Sequence, residues 1–360
     1  MSAGPERRPA ARWAVRILKW LGVLVVLLVV AFVVFYFWAS GGDSDDRAVA
    51  PGILLDNPAG EPPPSAPTTL TVVSFNIGYG RGPAGDESGP WSEEHIRQHL
   101  DGIAAQLRDA GADVAFLQEV DLAAARSHDI DQGRYLLERL GWRHGSCVVT
   151  WERNYVPFPY WPPSRHYGRM KSGQCVLSRF PVTSTTRHRL PQPEDSPFWR
   201  NAFYFHRAVE HVKLEIGKEL YDLFNVHLEA FSVDNRMAQG LLLVELVQRE
   251  AKTPRVIVAG DLNTLPAGAS QKKGFIDESQ ADFTLDTTHD IVLQGLPTLR
   301  EALPDLTVFS FPADAPTRRL DYVWFGPALT LEEARVLAPP PGPWSDHLPV
   351  LARLRLSSTP

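Results

Sequence analysis

A chain of 360 residues with 44% hydrophobic and 22% charged side chains has ample material for a packed core, which excludes a disordered protein and suits one large or two ordinary domains. Its net charge of −6 is uneven, because Arg7, Arg8, Arg12, Arg16 and Lys19 face only Glu6 within residues 1–20 and leave the remainder more acidic still. A broadly basic nucleic-acid-binding surface is therefore not indicated, and two cysteines are too few for a disulfide framework or a structural zinc site.

The first element in chain order is apolar. From Trp20 to Gly42 no side chain is charged, and LGVLVVLLVVAFVVFYFW at about 1.5 Å per residue is long enough to cross a hydrocarbon core of roughly 30 Å. Basic residues precede it, and Asp43, Asp45 and Asp46 follow. The positive-inside rule then predicts a cytoplasmic basic N-terminus over 1–19, a transmembrane helix over 20–39 and an extracytoplasmic bulk. A cleaved signal peptide is the alternative, disfavoured by the length of the apolar run and by the bulk of Trp38 beside Ala39-Ser40. Residues 40–67, with Gly41, Gly42, Gly60 and Pro62-Pro63-Pro64, read as a flexible tether to a domain over 68–360.

The globular text starts at TLTVVSFNI, a strand, followed by a Ser92-capped helix in SEEHIRQHLDGIAAQLRDAG and a second buried strand in ADVAFLQEV. DQGRYLLERLG reads as a helix and QCVLSRF as a strand. AVEHVKLEI and LYDLFNVHLEA read as strands turned at Gly217-Lys218. A helix over 234–251 leads into the apolar strand VIVAGD, and RLDYVWF and HLPVLARLRL follow. Helices alternate with strands early and hairpin-like pairs dominate later, so the expected class is α/β with mixed sheets. SCVVTW and QCVLSR are placed to pair antiparallel, which predicts a Cys147–Cys175 disulfide, two buried free thiols being the alternative.

Several apolar strands finish on polar residues: Asn76, Glu119, His227, then Asp261 with Asn263, while Asp321 sits in RLDYVWF and Asp346-His347 opens the last strand. Strand alternation predicts that Asp261 and Asn263 emerge on one face. Buried separately, so many amides, carboxylates and imidazoles would be costly. Gathered at one sheet end they can hold a metal and a phosphate, and the oxygen donors of Glu119 and Asp346 suit a hard cation such as Mg²⁺. The blander readings are a core histidine at His227, a strand-end ion pair at Asp321 and a turn cap at Asp346-His347. Arg207 in FHRAVEHV is read equally as a phosphate clamp or a solvated strand arginine, and Tyr155 stays outside the catalytic set.

SFN at Asn76, LQEV at Glu119, SGQCVLSRFP over 172–181, NVHL at His227, GDLN over 260–263, LDYV at Asp321 and SDHLP over 345–349 stand in an order that resembles the endonuclease/exonuclease/phosphatase superfamily, across residues 69–356. Deoxyribonucleases, apurinic endonucleases, inositol-phosphate phosphatases and neutral sphingomyelinases are among its members. The resemblance implies a four-layer sandwich, two mixed β-sheets face to face with helices outside. It implies Glu119 as metal ligand with Asn76 and Asp346 in support, and Mg²⁺, or Mn²⁺ in its place, as cofactor. Asp261 orients or deprotonates the attacking water, Asn263 donates to the phosphate, Asp321 holds His347 at the phosphate, and His227 is the second flanking histidine. The implied chemistry is metal-assisted in-line attack.

The segment 151–171, rich in aromatics, prolines and basic residues, suits a shaped rim that meets lipid head groups or sugar-like rings, or else packs on the domain itself. A membrane anchor concentrates lipid substrates, so the favoured reading is a membrane-anchored phosphodiesterase or phosphatase acting on a small or lipid-linked phosphate. An extracytoplasmic nuclease is the second reading and a non-catalytic surface binding protein the third.

Overall fold

The computed structural model describes residues 9–42, 45, 47–65, 67–83, 89–194, 196–338 and 342–357. Arg7, Arg8, Asp43 and Asp46, on which part of the charge step rests, lie outside the described residues. The chain opens with α1 Pro9–Ser40, β1 Val49–Pro51, β2 Ile53–Asp56, β3 Thr69–Asn76, α2 Glu93–Asp109 and β4 Val114–Asp121. It continues through α3 Gln132–Leu140, β5 His144–Val156, β6 Gly168–Ser178, β7 Val182–Arg189, α4 Phe198–Asn201, β8 Ala208–Ile216 and β9 Glu219–His227. It ends with α5 Val233–Glu250, β10 Val256–Asp261, α6 Thr288–Gly295, β11 Arg300–Glu301, β12 Asp321–Phe325, β13 Leu329–Val336 and β14 Val350–Leu356.

The strands form two seven-stranded sheets, ordered β1-β7-β8-β9-β10-β12-β11 and β13-β14-β3-β4-β6-β5-β2. Both are mixed, with β3–β4 and β9–β10 parallel and their other neighbours antiparallel. Side chains alternate between two cores: Val72 joins Val212, Leu223 and Ile257 between the sheets, while Val73 and Phe75 pack outward beneath Ile96, Leu100 and Leu136 of α2 and α3. Leu243 and Val292, from α5 and α6, cover the other sheet with Phe224 and Val258. The four-layer α/β sandwich is therefore the observed architecture.

Local chemistry sets the element ends, with the Ser92 cap and the Gly217 turn as expected. Ser92 accepts the His95 N–H at the start of α2, and Asp131 accepts that of Arg134 at the start of α3. Gly217, at φ +66°, turns β8 into β9 with Ile216 and Glu219 opposed. Cys147 and Cys175 are cross-strand partners in β5 and β6 and are disulfide-bonded.

The tether expected over 40–67 is corrected. Residues 49–56 are edge strands, β1 on β7 and β2 on β5, and the backbone of Asn57 and Glu61 bonds to Arg143 and Gly141. Strands of three and four residues, one ending in Pro51, are too short to show alternation, and proline is tolerated at an edge. Trp13–Ser40 is long and apolar enough to cross a membrane, with mean hydropathy 2.9 over its most apolar 18-residue window; a signal sequence shares those features.

Candidate active site

Parallel β3 and β4 finish at the same edge of one sheet, parallel β9 and β10 finish at the matching edge of the other, and antiparallel β12 and β14 start there. The polar strand ends are thereby brought together. Gly260 sets the last step of β10: a Cβ there would stand 1.9 Å from the Val226 carbonyl oxygen, so only glycine lets Asp261 lie level with His227.

Asp261 is the hub. Its Oδ2 accepts from the Asn76 amide at 3.0 Å and lies 3.4 Å from His227 Nε2 and 3.8 Å from His347 Nε2. Its Oδ1 accepts the Asn263 N–H at 2.8 Å. Burial pushes this carboxyl above the usual range and Asp321 adds to the push, while His347 and the two amides pull it back.

Asn263 reaches this face by a different route from strand alternation. β10 stops at Asp261, and Asn263 takes a left-handed conformation (φ +50°) in a turn closed by the Asp261 carboxylate, with its own amide donating to the Leu228 carbonyl at 3.0 Å. A short polar side chain that bonds its neighbours tolerates that conformation, which is why an amide stands there.

His347 is held by Asp321, whose Oδ2 accepts from Nδ1 at 2.9 Å and from the Ser310 hydroxyl at 2.7 Å. Burial works against a charged ring, but Asp321 and Asp261 outweigh it and keep the imidazolium well above the usual histidine range. His227 behaves oppositely. Burial and the adjacent Arg207 guanidinium drive its pKa far down, and the Arg207 N–H directed at Nε2 fixes a neutral ring with its proton on Nδ1.

Glu119 stands in a β-bulge of β4 at φ +55°, the register with β6 breaking between Leu117 and Val120. Burial and the neighbouring Asp346 carboxylate raise its pKa; Arg81, 3.9 Å away, opposes them. Two neighbouring, half-buried carboxylates match the oxygen donors of a divalent cation. Asn76, expected among the ligands, turns its amide to Asp261 and accepts the Gly78 N–H on Oδ1. Asp261, Asp321 and His347 also bring ligand-type atoms within 4.8 Å of one another. Asp321 Oδ2 is already engaged by His347 and Ser310, so within that trio Asp321 and His347 form a hydrogen-bonded pair, and Asp261 faces the ring's other nitrogen as a charge 3.8 Å away.

The sequence profile of the endonuclease/exonuclease/phosphatase family matches residues 73–347. The chain belongs to this family. Among solved structures, an endonuclease/exonuclease/phosphatase from Beutenbergia cavernae aligns at 22% identity and TM-score 0.56, over 82% of this chain and 73% of that one. The human Nocturnin catalytic domain aligns at 19% and 0.56, over 85% and 98%. A Bacteroides thetaiotaomicron mannosyl-6-phosphatase aligns at 16% and 0.54, over 79% and 99%. No curated protein sequence matches. The chain thus has the hydrolase fold of a family whose members act on phosphoester bonds.

Two contributors were not selected from sequence. Arg207 is buried, not solvated: it reaches His227, lies 4.5 Å over the Phe205 ring and leaves its Nε without a partner. Its signal was the pairing of the next residue, Ala208, with His227, which no local pattern announces. Ser310 sits in a loop, eleven residues before Asp321, with no periodicity to mark it. Tyr155 bonds His166 at 2.8 Å and stays outside the cluster.

Proposed function

We propose that this family member is a divalent-metal-dependent phosphoester hydrolase, anchored by α1 with its domain outside the cytoplasm, acting on a lipid-linked or small phosphate ester. The observation that carries the reading is Asp261 Oδ2, met within 3.8 Å by the Asn76 amide and by both imidazoles. Glu119 and Asp346, with Asn76 behind them, would hold Mg²⁺ or Mn²⁺, which when bound offsets charge building on the phosphoryl oxygens.

The chain's own groups supply the remainder. Asp261 accepts the proton of the attacking water, and its elevated pKa suits a base working near neutrality. His347, charged through neutral pH by its carboxylate neighbours, donates from Nε2 to the phosphate. Arg207 adds a fixed positive charge beside neutral His227, and Asn263 offers its second amide hydrogen.

The test is hydrolysis by the full chain in phospholipid nanodiscs, assayed against sphingomyelin, phosphoinositides, duplex DNA and a soluble diester. EDTA abolishing turnover and Mg²⁺ restoring it is the expected result. Full activity in metal-free buffer overturns the mechanism, and exclusive turnover of DNA overturns the substrate class.

A further inference from the structure

The foot of α1 is seated on the domain. Asn154 donates its side-chain amide to the Trp38 carbonyl at 2.9 Å, beside the Gly41 N–H that the same carbonyl accepts, and its backbone N–H to the Gly41 carbonyl at 2.7 Å, tying the helix end to β5. Phe35 and Trp38 pack on the Tyr155 ring at 5.8 and 6.5 Å, Tyr36 meets Phe203 edge-on at 5.5 Å, and Ala39 is fully buried.

Length then fixes where this contact lies. The nineteen residues from Trp20 to Trp38 rise about 28 Å, close to the roughly 30 Å of a hydrocarbon core. No apolar helix is left over between span and domain, so the surface bearing Tyr155 and Phe203 stands at the hydrocarbon boundary itself. Around it Tyr160 and Trp161 are 71% and 79% exposed, and Phe198 and Trp199 are 80% and 51% exposed. Aromatic rings at that depth are ordinary interfacial anchors, and exposed Arg200 beside them suits anionic head groups.

The catalytic edge lies on the same side. β5 ends at Val156 and β8 begins at Ala208, paired with His227, so the loops bearing these aromatics leave the sheets at the active-site end. Three residues lie between Phe203, against α1, and Arg207, against His227, so their Cα atoms are no more than about 15 Å apart.

We propose that the aromatic surface around the foot of α1 sits in the head-group region of the membrane that α1 crosses, so that the catalytic mouth takes a lipid-borne phosphoester from that leaflet. This rests on α1 being a retained span and on the hydrolase reading above. The domain is a lid over its own patch of bilayer rather than a body swinging on a tether.

The full chain, reconstituted in vesicles of phosphatidylcholine and phosphatidylglycerol, tests this with Trp161→Cys carrying an NBD fluorophore. That thiol is selectively labelled because Cys147 and Cys175 are bonded to each other. Lys218→Cys, at the β8–β9 turn about 30 Å from the catalytic edge, is the reference. Lipids spin-labelled near the carbonyl should quench position 161 at least about two-fold and leave 218 unchanged; equal emission at both sites overturns the seat. Replacing Tyr160, Trp161, Phe198 and Trp199 by serine should lower hydrolysis of a bilayer-borne phosphoester at least about five-fold while sparing a soluble diester, and equal effects on both overturn the proposal. Quenching at 161 with no phosphoester hydrolysed at all sustains the seat and instead removes the hydrolase reading.

Discussion

His347 and Asp321 act through one proton-bearing ring, held at 2.9 Å, and this makes their energetics testable at the residue scale. His347→Ala and Asp321→Ala should each slow hydrolysis by about 100-fold or more, and the double variant should be little slower than either single one. Losses that add in free energy would show two independent structural roles. Glu210 gives a different test. It lies between the sheets, bonded to Ser146 and Asn225, and burial pushes its carboxyl up to about 8. The unfolded chain ionises it from the ordinary value of 4.5, so between roughly pH 4.5 and 8 the folded state binds the extra proton and stability falls as pH rises. Glu210→Gln should flatten that slope, retaining roughly 3–5 kcal/mol by pH 8.5 relative to the native chain on a common acid-pH baseline. Denaturation curves from pH 5 to 8.5 with equal slopes for both proteins would refute the assignment.

At the scale of elements, α2 places the last motif. A Cβ on Gly102 would stand 2.2 Å from the Trp344 ring, and Trp344 directly precedes Ser345, whose hydroxyl ties the loop to the Asn76 carbonyl at 2.7 Å. Gly102→Ala gains about 1 kcal/mol of helix propensity but must displace the indole, an overpacking cost of about 1–3 kcal/mol. A net stability loss of no more than about 2 kcal/mol with at least a ten-fold fall in kcat is expected, because Asp346 and His347 move with Trp344; unchanged kcat in the folded variant refutes the coupling. This helix, its cap and the strands carrying Asn76, Glu119, His227 and Asp261 were legible in the sequence because each buries an apolar stripe of sufficient length. β1, β2, β7 and β13 escaped notice, being short edges or strands whose exposed faces carry threonine, arginine and glutamate. The Arg207–His227 contact was illegible for another reason: it is made by strand register, which depends on the whole sheet.

For the whole molecule, the decisive question is whether the segment after α1 is slack or laid down. Gly52 donates to Thr185, Asn57 to Arg143 and Glu61 to Gly141, at 2.8–3.1 Å, and Arg187 donates to the Asp45 and Arg47 carbonyls. Each bond contributes only about 0.5–1.5 kcal/mol, but they recur along the strap and flank two stretches of ladder, so opening one does not free the rest. Hydrogen exchange on the full chain in nanodiscs should therefore find the amides of Gly52, Asn57 and Glu61 protected for minutes or longer, together with that of Asn154 at the helix foot. A slack tether would exchange all of them within seconds. The result bears on the proposed substrate choice: with α1 retained as a membrane span, a laid-down strap would fix the catalytic edge relative to the helix and confine it to phosphoesters presented at one height above the membrane, whereas a slack one would let the same residues reach substrates throughout the surrounding solution.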